Sequence, residues 1–214
     1  MTSRLALWNM AVAELPADRI DTIDDVSIEA AQCREQYRPA LEMLLEDHGY
    51  DFAIRRAVLA EIANDRPAEW AHAYALPHDL AMPRHLLRYS ADDVSADGGR
   101  WSWRGRLRGG EAGEPYRIAG GVLYADLPAA TLEYVTNAPD EARFPARFAR
   151  ALALELAARI VMPIKKDRAR QGELMQLAEV ARERAKASDM NRDRETPGDF
   201  VAEVQLARIG LGRA

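Results

Sequence analysis

A single cysteine, Cys33, stands in 214 residues, so no intramolecular disulfide can form, and a reducing compartment suits the chain. Long hydrophobic runs are also missing. The best candidate, from Phe148 to Met162, is interrupted by Arg150, Glu155 and Arg159 and falls short of the roughly 18 apolar residues of a membrane span. Near the start, Leu5-Ala6-Leu7-Trp8 stops at Asn9, too short for the core of a secretion signal, although Ala11-Val12-Ala13 mimics a cleavage site. A cationic excess is lacking too. The chain has 29 Lys and Arg against 34 Asp and Glu, a net charge of -5, so no overall field draws it to nucleic acid or an acidic membrane. No membrane partner is expected.

Catalytic and metal-binding signatures are equally scarce. His72, His78 and His85 are six and seven residues apart, without the paired spacing of a zinc site, and read as strand or loop histidines. Asp92, Asp93 and Asp97 lack the spacing and terminal Glu of a calcium loop. Gly109-Gly110 and Gly120-Gly121 are followed by no Gly-Lys-Ser/Thr, which excludes a phosphate loop. Cys33 has the helical spacing of a core residue and no sequence neighbour that would activate a thiolate. The expectation is a protein that is not an enzyme and takes no cofactor and no metal.

What is present is a change of period along the chain. Residues 3–14 read as a helix with Leu5, Trp8, Val12 and Leu15 on one face, followed by a Pro- and Asp-rich loop over 16–26. Asp25 or Ser27 caps a second helix that runs to about residue 48 with Ala30, Cys33, Tyr37, Leu41, Leu44 and His48 as its stripe. Pro39 predicts a kink or split within it, and Gly49 its C-terminal stop. Asp24-Asp25 reads as capping chemistry and not as a catalytic carboxylate pair.

Segments 52–62, 69–76, 84–90, 100–108, 115–125 and 130–137 are short, rich in Val, Ile, Tyr and Trp, and separated by Gly, Pro and Asp, the pattern of antiparallel strands. Gly120-Gly121 predicts a hairpin turn. After Pro139 the helical period returns. Pro145 takes the first position of a helix with Phe148, Leu152, Leu156 and Ile160 on one stripe, and Pro163 ends it. A fourth helix covers about 170–188, with Leu174, Leu177, Ala178, Ala181 and Ala185. The charged stretch 189–199 reads as a linker.

The fold class expected is therefore α+β. A helical bundle forms from the N- and C-terminal helices at 1–50 and 139–190, with an inserted antiparallel β-domain at 51–138. A linker and flexible C-terminal docking tail occupy 191–214.

Two segments stand out as binding candidates. Between glycine pairs, Arg100, Trp101, Trp103, Arg104, Arg106 and Arg108 alternate so that a strand would place tryptophans on one side and arginines on the other. A protein interface is the favoured reading, because Arg and Trp are enriched at hot spots. A solvated amphipathic strand and a single-stranded nucleic-acid surface are the alternatives. In the tail, Phe200, Val204, Ala207 and Leu211 recur at steps of four, three and four, one face of a short helix that would order on a partner. A frayed terminus is the plainer alternative.

The order of several segments carries more than any one of them. These are Ala6-Leu7-Trp8-Asn9-Met10-Ala11-Val12-Ala13-Glu14-Leu15, Ile23-Asp24-Asp25, Tyr50-Asp51-Phe52-Ala53 and Trp70-Ala71-His72-Ala73-Tyr74-Ala75-Leu76-Pro77. Leu132-Glu133-Tyr134-Val135 and the stretch from Phe144-Pro145 to Met162-Pro163-Ile164 follow. From residue 5 to about residue 190, this order resembles the tail tubular protein A family, the head-to-tail adaptors (connectors) of short-tailed phages. The resemblance implies a structural protein of the virion neck, present in the host cytoplasm during assembly. It implies a ring of about twelve neighbouring copies, a dodecamer, between the portal protein and the tail nozzle protein. The helices would grip the portal, and the β-domain would face the nozzle and tail fibres. Double-stranded DNA would pass through the channel non-specifically during ejection. Another neck or head-completion protein is the nearest alternative; a nucleic-acid-binding regulator using the Arg/Trp arm is a more distant one.

Overall fold

The computed structural model describes residues 2–88 and 113–192. It is a mixed structure of helices and antiparallel sheets. Helix α1 spans Arg4–Val12, and its first turn is capped by Ser3, whose hydroxyl accepts from the Ala6 N–H. The loop that follows is held to α1 by Asn9. Its carboxamide accepts from the Ile20 N–H and donates to the Ile20 carbonyl, both at 2.9 Å. Helix α2 spans Ile28–Asp47 and is capped by Ser27, while the Asp25 carboxylate accepts from the Ser27 N–H at 2.8 Å. Of the two expected caps, Ser27 takes the role, and Asp25 holds the backbone of the cap residue.

Pro39 does not split α2, which continues to Asp47. Pro39 and Glu35, one turn earlier, are both exposed, so the carbonyl deprived of its donor faces water, while Tyr37, Ala40 and Leu41 stay in the core. Gly49 is not the left-handed stop expected of it. The chain leaves α2 through His48 in an extended conformation. Gly49 instead allows close approach, since a Cβ there would lie 3.3 Å from Val135 Cγ2 and 3.4 Å from Met82 Cε.

A 3-10 turn, Asp51–Ala53, leads into the strands. These are β1 (Ile54–Val58), β2 (Glu61–Ile62), β3 (His72–Ala75), β4 (Leu80–Arg88), β5 (Tyr116–Ala119), β6 (Val122–Ala125) and β7 (Ala130–Thr136). One antiparallel sheet has the order β1-β7-β4 and the other β2-β3-β6-β5. The segments 52–62 and 115–125 each divide into two strands. Gly120 and Gly121 have φ of 60° and 80° and form the expected tight turn between β5 and β6. Strand β4 begins four residues before its expected start at 84 and includes Pro83. It tolerates this proline because it lies at the edge of its sheet, with register shifts on either side of Met82–Pro83. The strand expected at 100–108 lies outside the described residues.

Helix α3 spans Ala146–Lys165 and α4 spans Arg168–Met190. Pro145 is the residue before α3, not its first residue, and Pro163 lies inside the last turn instead of ending the helix. The stop is Lys166, left-handed at φ 54°, whose N–H donates to the Met162 carbonyl at 3.0 Å. The expected linker begins late, since Asp189 and Met190 still belong to α4. Among the described residues, no helix is long and apolar enough to cross a membrane.

Two hydrophobic clusters fill the molecule. The larger joins Trp8, Tyr37, Leu44, Phe148, Leu152 and Leu174 with other residues of all four helices. As expected, α2 and α3 pack on each other. The smaller lies among the strands and includes Tyr74, Leu86, Leu123 and Leu132. Strand β7, buried along its length, serves both: Val135 enters the first cluster, and Leu132 and Tyr134, on its opposite face, enter the second. Tyr50, Phe52, Phe144 and Phe148 form the joint between helices and strands, with ring centroids 4.7–5.5 Å apart.

Candidate interaction surface

A cleft of about 590 Å³ opens between the N-terminal helices and the connection from β7 to α3. The α2 wall presents Arg34, Tyr37, Arg38 and Leu41, and the opposite wall is the chain from Asn137 to Glu141. Arg34, Arg38 and Leu41 share this side of α2 because they are spaced four and three apart. Glu141 ties the walls together. Its Oε1 lies 2.7 Å from Arg4 Nη2 and accepts from the Tyr37 hydroxyl at 3.2 Å. The Arg4 guanidinium also sits 5.3 Å from the centre of the Tyr37 ring. Burial, and then the Glu141 charge, push the Tyr37 hydroxyl up, while the bond to Glu141 raises Arg4.

Trp8 and Tyr37 meet edge to face at 6.4 Å. The Trp8 Nε1 is buried and finds no acceptor among the described residues. Arg34 is committed to the backbone, donating from Nη2 to the Ile23 carbonyl at 2.9 Å and the Asp25 carbonyl at 3.2 Å. The lining mixes Arg4, Arg34 and Arg38 with Asp24, Asp140 and Glu141, so its charges balance. Such a surface suits another protein better than a polyanion, which needs a run of uncompensated cations.

Three buried carboxylates, none of them lining the cleft, hold other parts of the fold together. Asp79 accepts from the Tyr134 hydroxyl at 2.8 Å, the Thr136 hydroxyl at 2.8 Å and Arg55 Nη1 at 3.0 Å. Burial opposes its charge, but the bonds from Thr136 and Tyr134, together with Arg55, hold its carboxyl below the ordinary value. Burial and the same carboxylate push the Tyr134 hydroxyl up to about 12. Across β1 and β7, Arg56 stands opposite Glu133, and its Nε and Nη2 both donate to Glu133 Oε2, at 2.8 and 2.6 Å. Asp189, in the last turn of α4, approaches His48 and the Asp51 N–H. All three carboxylates are occupied by donors in the fold, which makes them braces.

The expected site residues fare unequally. The arm residues Arg100, Trp101, Trp103, Arg104, Arg106 and Arg108 lie outside the described residues, as do Asp92, Asp93 and Asp97. The tail residues Phe200, Val204, Ala207 and Leu211 lie outside them too. Cys33 is fully buried, and burial pushes its thiol up to about 12, as a core residue requires. His72 lies in β3, His85 in β4 and His78 between these strands, and His72 Nδ1 pairs with Glu61 Oε1 at 2.7 Å. Among the described residues, no group of three or more His, Cys, Asp or Glu side chains could hold a metal ion.

The sequence reading missed the cleft and the braces. A signal for one of them was present: Arg55-Arg56 and Glu133-Tyr134 sit in strands, where complementary side chains can face across a ladder. The pairing register that joins them was not visible. No protein-family model matches the chain, and a search of curated proteins finds no match to it.

Proposed function

We propose that this chain is a structural virion protein, a head-to-tail adaptor that forms a ring between the portal and the tail nozzle. The observation that carries the reading is the chain order. Two helices, a set of antiparallel strands and two further helices follow one another, and the helices at both ends of the chain share one core. This is the arrangement implied by the resemblance of residues 5 to about 190 to the adaptor family. In this reading the helices, 1–50 and 139–190, are a bundle that meets the portal, and 51–138 is the inserted domain that meets the nozzle. The tail at 191–214 orders on the portal.

The charge supports passage of DNA through such a ring. A chain of net charge -5 gathers few phosphate contacts, and each such contact would add salt-sensitive affinity that slows sliding. The mechanism is assembly: a subunit orders its loose parts on one component and so creates a surface for the next.

The test is capture by portal rings made from the neighbouring gene of the same phage. The chain should add a ring of density beneath the portal in electron micrographs. Deleting 200–214 should weaken capture while leaving the thermal melt nearly unchanged. A chain that ignores portal rings under all assembly conditions defeats the adaptor reading.

A further inference from the structure

Tyr50 stands where α2 gives way to the strands, and it is only 1% exposed. Its ring meets His48 and Phe148 edge to face, each with centroids 4.7 Å away, and stacks on Phe52 at 5.5 Å. Rings packed on three sides hold the phenol in place, so it cannot swing out to solvent. Its hydroxyl is buried and finds no hydrogen-bond partner among the described residues. Burial, and then the Asp189 charge, push that hydroxyl up, so it keeps its proton and requires an acceptor. A donor left unmet there would cost the fold the whole of its desolvation.

Tyr50 borders a hollow of about 10 Å³ where the start of α3 meets the last turns of α4. That is about the room one water molecule occupies, and a buried water makes about three hydrogen bonds. Phe148 and Ala185 form apolar walls, and Ser188 and Asp189 bring polar groups. Asp189 is 7% exposed and gives only its Oδ2 to His48 and to the Asp51 N–H. Its Oδ1 takes no donor among the described residues, and the Ser188 hydroxyl makes no hydrogen bond among them. Three polar groups without partners thus border one water-sized space. A phosphate or a carboxylate is too large for it, and the Asp189 charge repels both. Arg147 and Arg192 also border the hollow but are exposed, so their charges stay solvated.

We infer that this hollow is the binding site of one ordered water molecule that bridges Tyr50, Asp189 and Ser188. The Tyr50 hydroxyl donates to the water oxygen, and the water donates one hydrogen to Asp189 Oδ1 and the other to Ser188 Oγ. No direct hydrogen bond joins Tyr50 to α4 among the described residues, so the water supplies that link. Asp189 then works with both oxygens: Oδ2 holds His48 and the Asp51 N–H, and Oδ1 holds Tyr50 through the water. The last turn of α4 is where residues 193–214 attach, so the bridge fixes their point of origin. The site goes beyond the adaptor reading and stands without it.

The sign of one substitution tests it. Removing a hydroxyl that has no partner relieves a desolvation cost, whereas removing one that a water serves loses a hydrogen bond. Tyr50→Phe in the full chain should therefore lower the folding equilibrium constant in urea about fivefold. Ser188→Ala should lower it as well. The two losses should not add in the double variant, because one water couples residues that do not bond each other. An unchanged or raised constant for Tyr50→Phe overturns the inference, as do losses that simply add. A high-resolution crystal structure of the parent chain gives the second arm. It should show one water within hydrogen-bond distance of Tyr50 Oη, Asp189 Oδ1 and Ser188 Oγ. A dry hollow, or a Tyr50 hydroxyl bonded directly to Asp189, overturns the inference even if Tyr50→Phe is destabilised. If Tyr50→Phe does not fold, the crystal structure decides alone.

Discussion

His48 Nε2 lies 3.0 Å from Asp189 Oδ2, although the two residues are 141 positions apart. The same oxygen accepts from the Asp51 N–H at 3.3 Å. This carboxylate therefore fastens the end of α4 to the point where α2 gives way to the strands. It also explains why α4 continues through residues whose sequence reads as linker. Beside it, Lys186 Nζ and Arg182 Nε reach Asp47 at 2.6 and 3.4 Å.

Asp189→Ala should leave those groups without their acceptor and destabilise the chain by about 1–3 kcal/mol. The loss should be local as well as global. Hydrogen exchange should quicken first over the last two turns of α4 and over 48–51, and a urea titration gives the total. Uniform loss of protection, or none, would show that Asp189 does not act as the fastening.

Leu152 is fully buried where α3 meets the other helices. Leu152→Ala should cost about 2–5 kcal/mol by leaving a cavity, and Leu152→Asp should leave little soluble protein by burying an unpaired charge. Expression and a thermal melt check both. A Leu152→Asp chain that melts like the parent would place this face outside the core.

Asp79 carries a pH dependence whose sign follows from its depressed carboxyl. A group held more acidic when folded than when unfolded stabilises the fold above its unfolded value. That contribution fades as pH falls below the ordinary 3.8 and through the folded value. Asp79→Asn should therefore melt lower than the parent near neutrality, and the gap should narrow in acid. Paired melts from neutral pH into strong acid measure it, and a gap that widens in acid reverses the assignment.

Lys166 occupies the left-handed region at φ 54°, where a side chain is strained. Lys166→Gly should relieve that strain, and the gain, partly offset by the greater freedom of glycine when unfolded, should be about 0.5–1 kcal/mol. A raised melting temperature is expected. A lower one would mean that the Lys166 side chain contributes contacts worth more than the strain.

Chain-local chemistry is legible in the sequence itself. Ser27 caps α2, with Asp25 holding the Ser27 N–H, because an oxygen beside a helix start meets free N–H groups wherever the helix lies. Gly120 and Gly121 turn because only that residue type adopts positive φ without cost, and Cys33 is buried because its spacing puts it on the apolar stripe. The alternation of helical and strand periods, and with it the mixed fold, follows from the same local information.

What depended on packing was not legible. Pro39 stays inside α2 because Tyr37 on one side and Ala40 and Leu41 on the other are anchored in the core, and Pro163 stays in the last turn of α3, which Ile160 and Val161 anchor just before it, a balance that no single residue reveals. Gly49 serves close approach to β7 and not a helix stop, and only the seating of that strand decides it. The cleft exists because α1, α2 and the β7–α3 connection converge on Glu141, residues 4, 37 and 141 meeting in one place. The sequence by itself determined which stretches could be helix or strand and which faces were apolar, because these depend on spacing along the chain. Tertiary structure alone decided which carboxylates became braces and which arginines came to face a cleft. Those pairings depend on distances between segments far apart in sequence, and burial strengthens the pairings it permits.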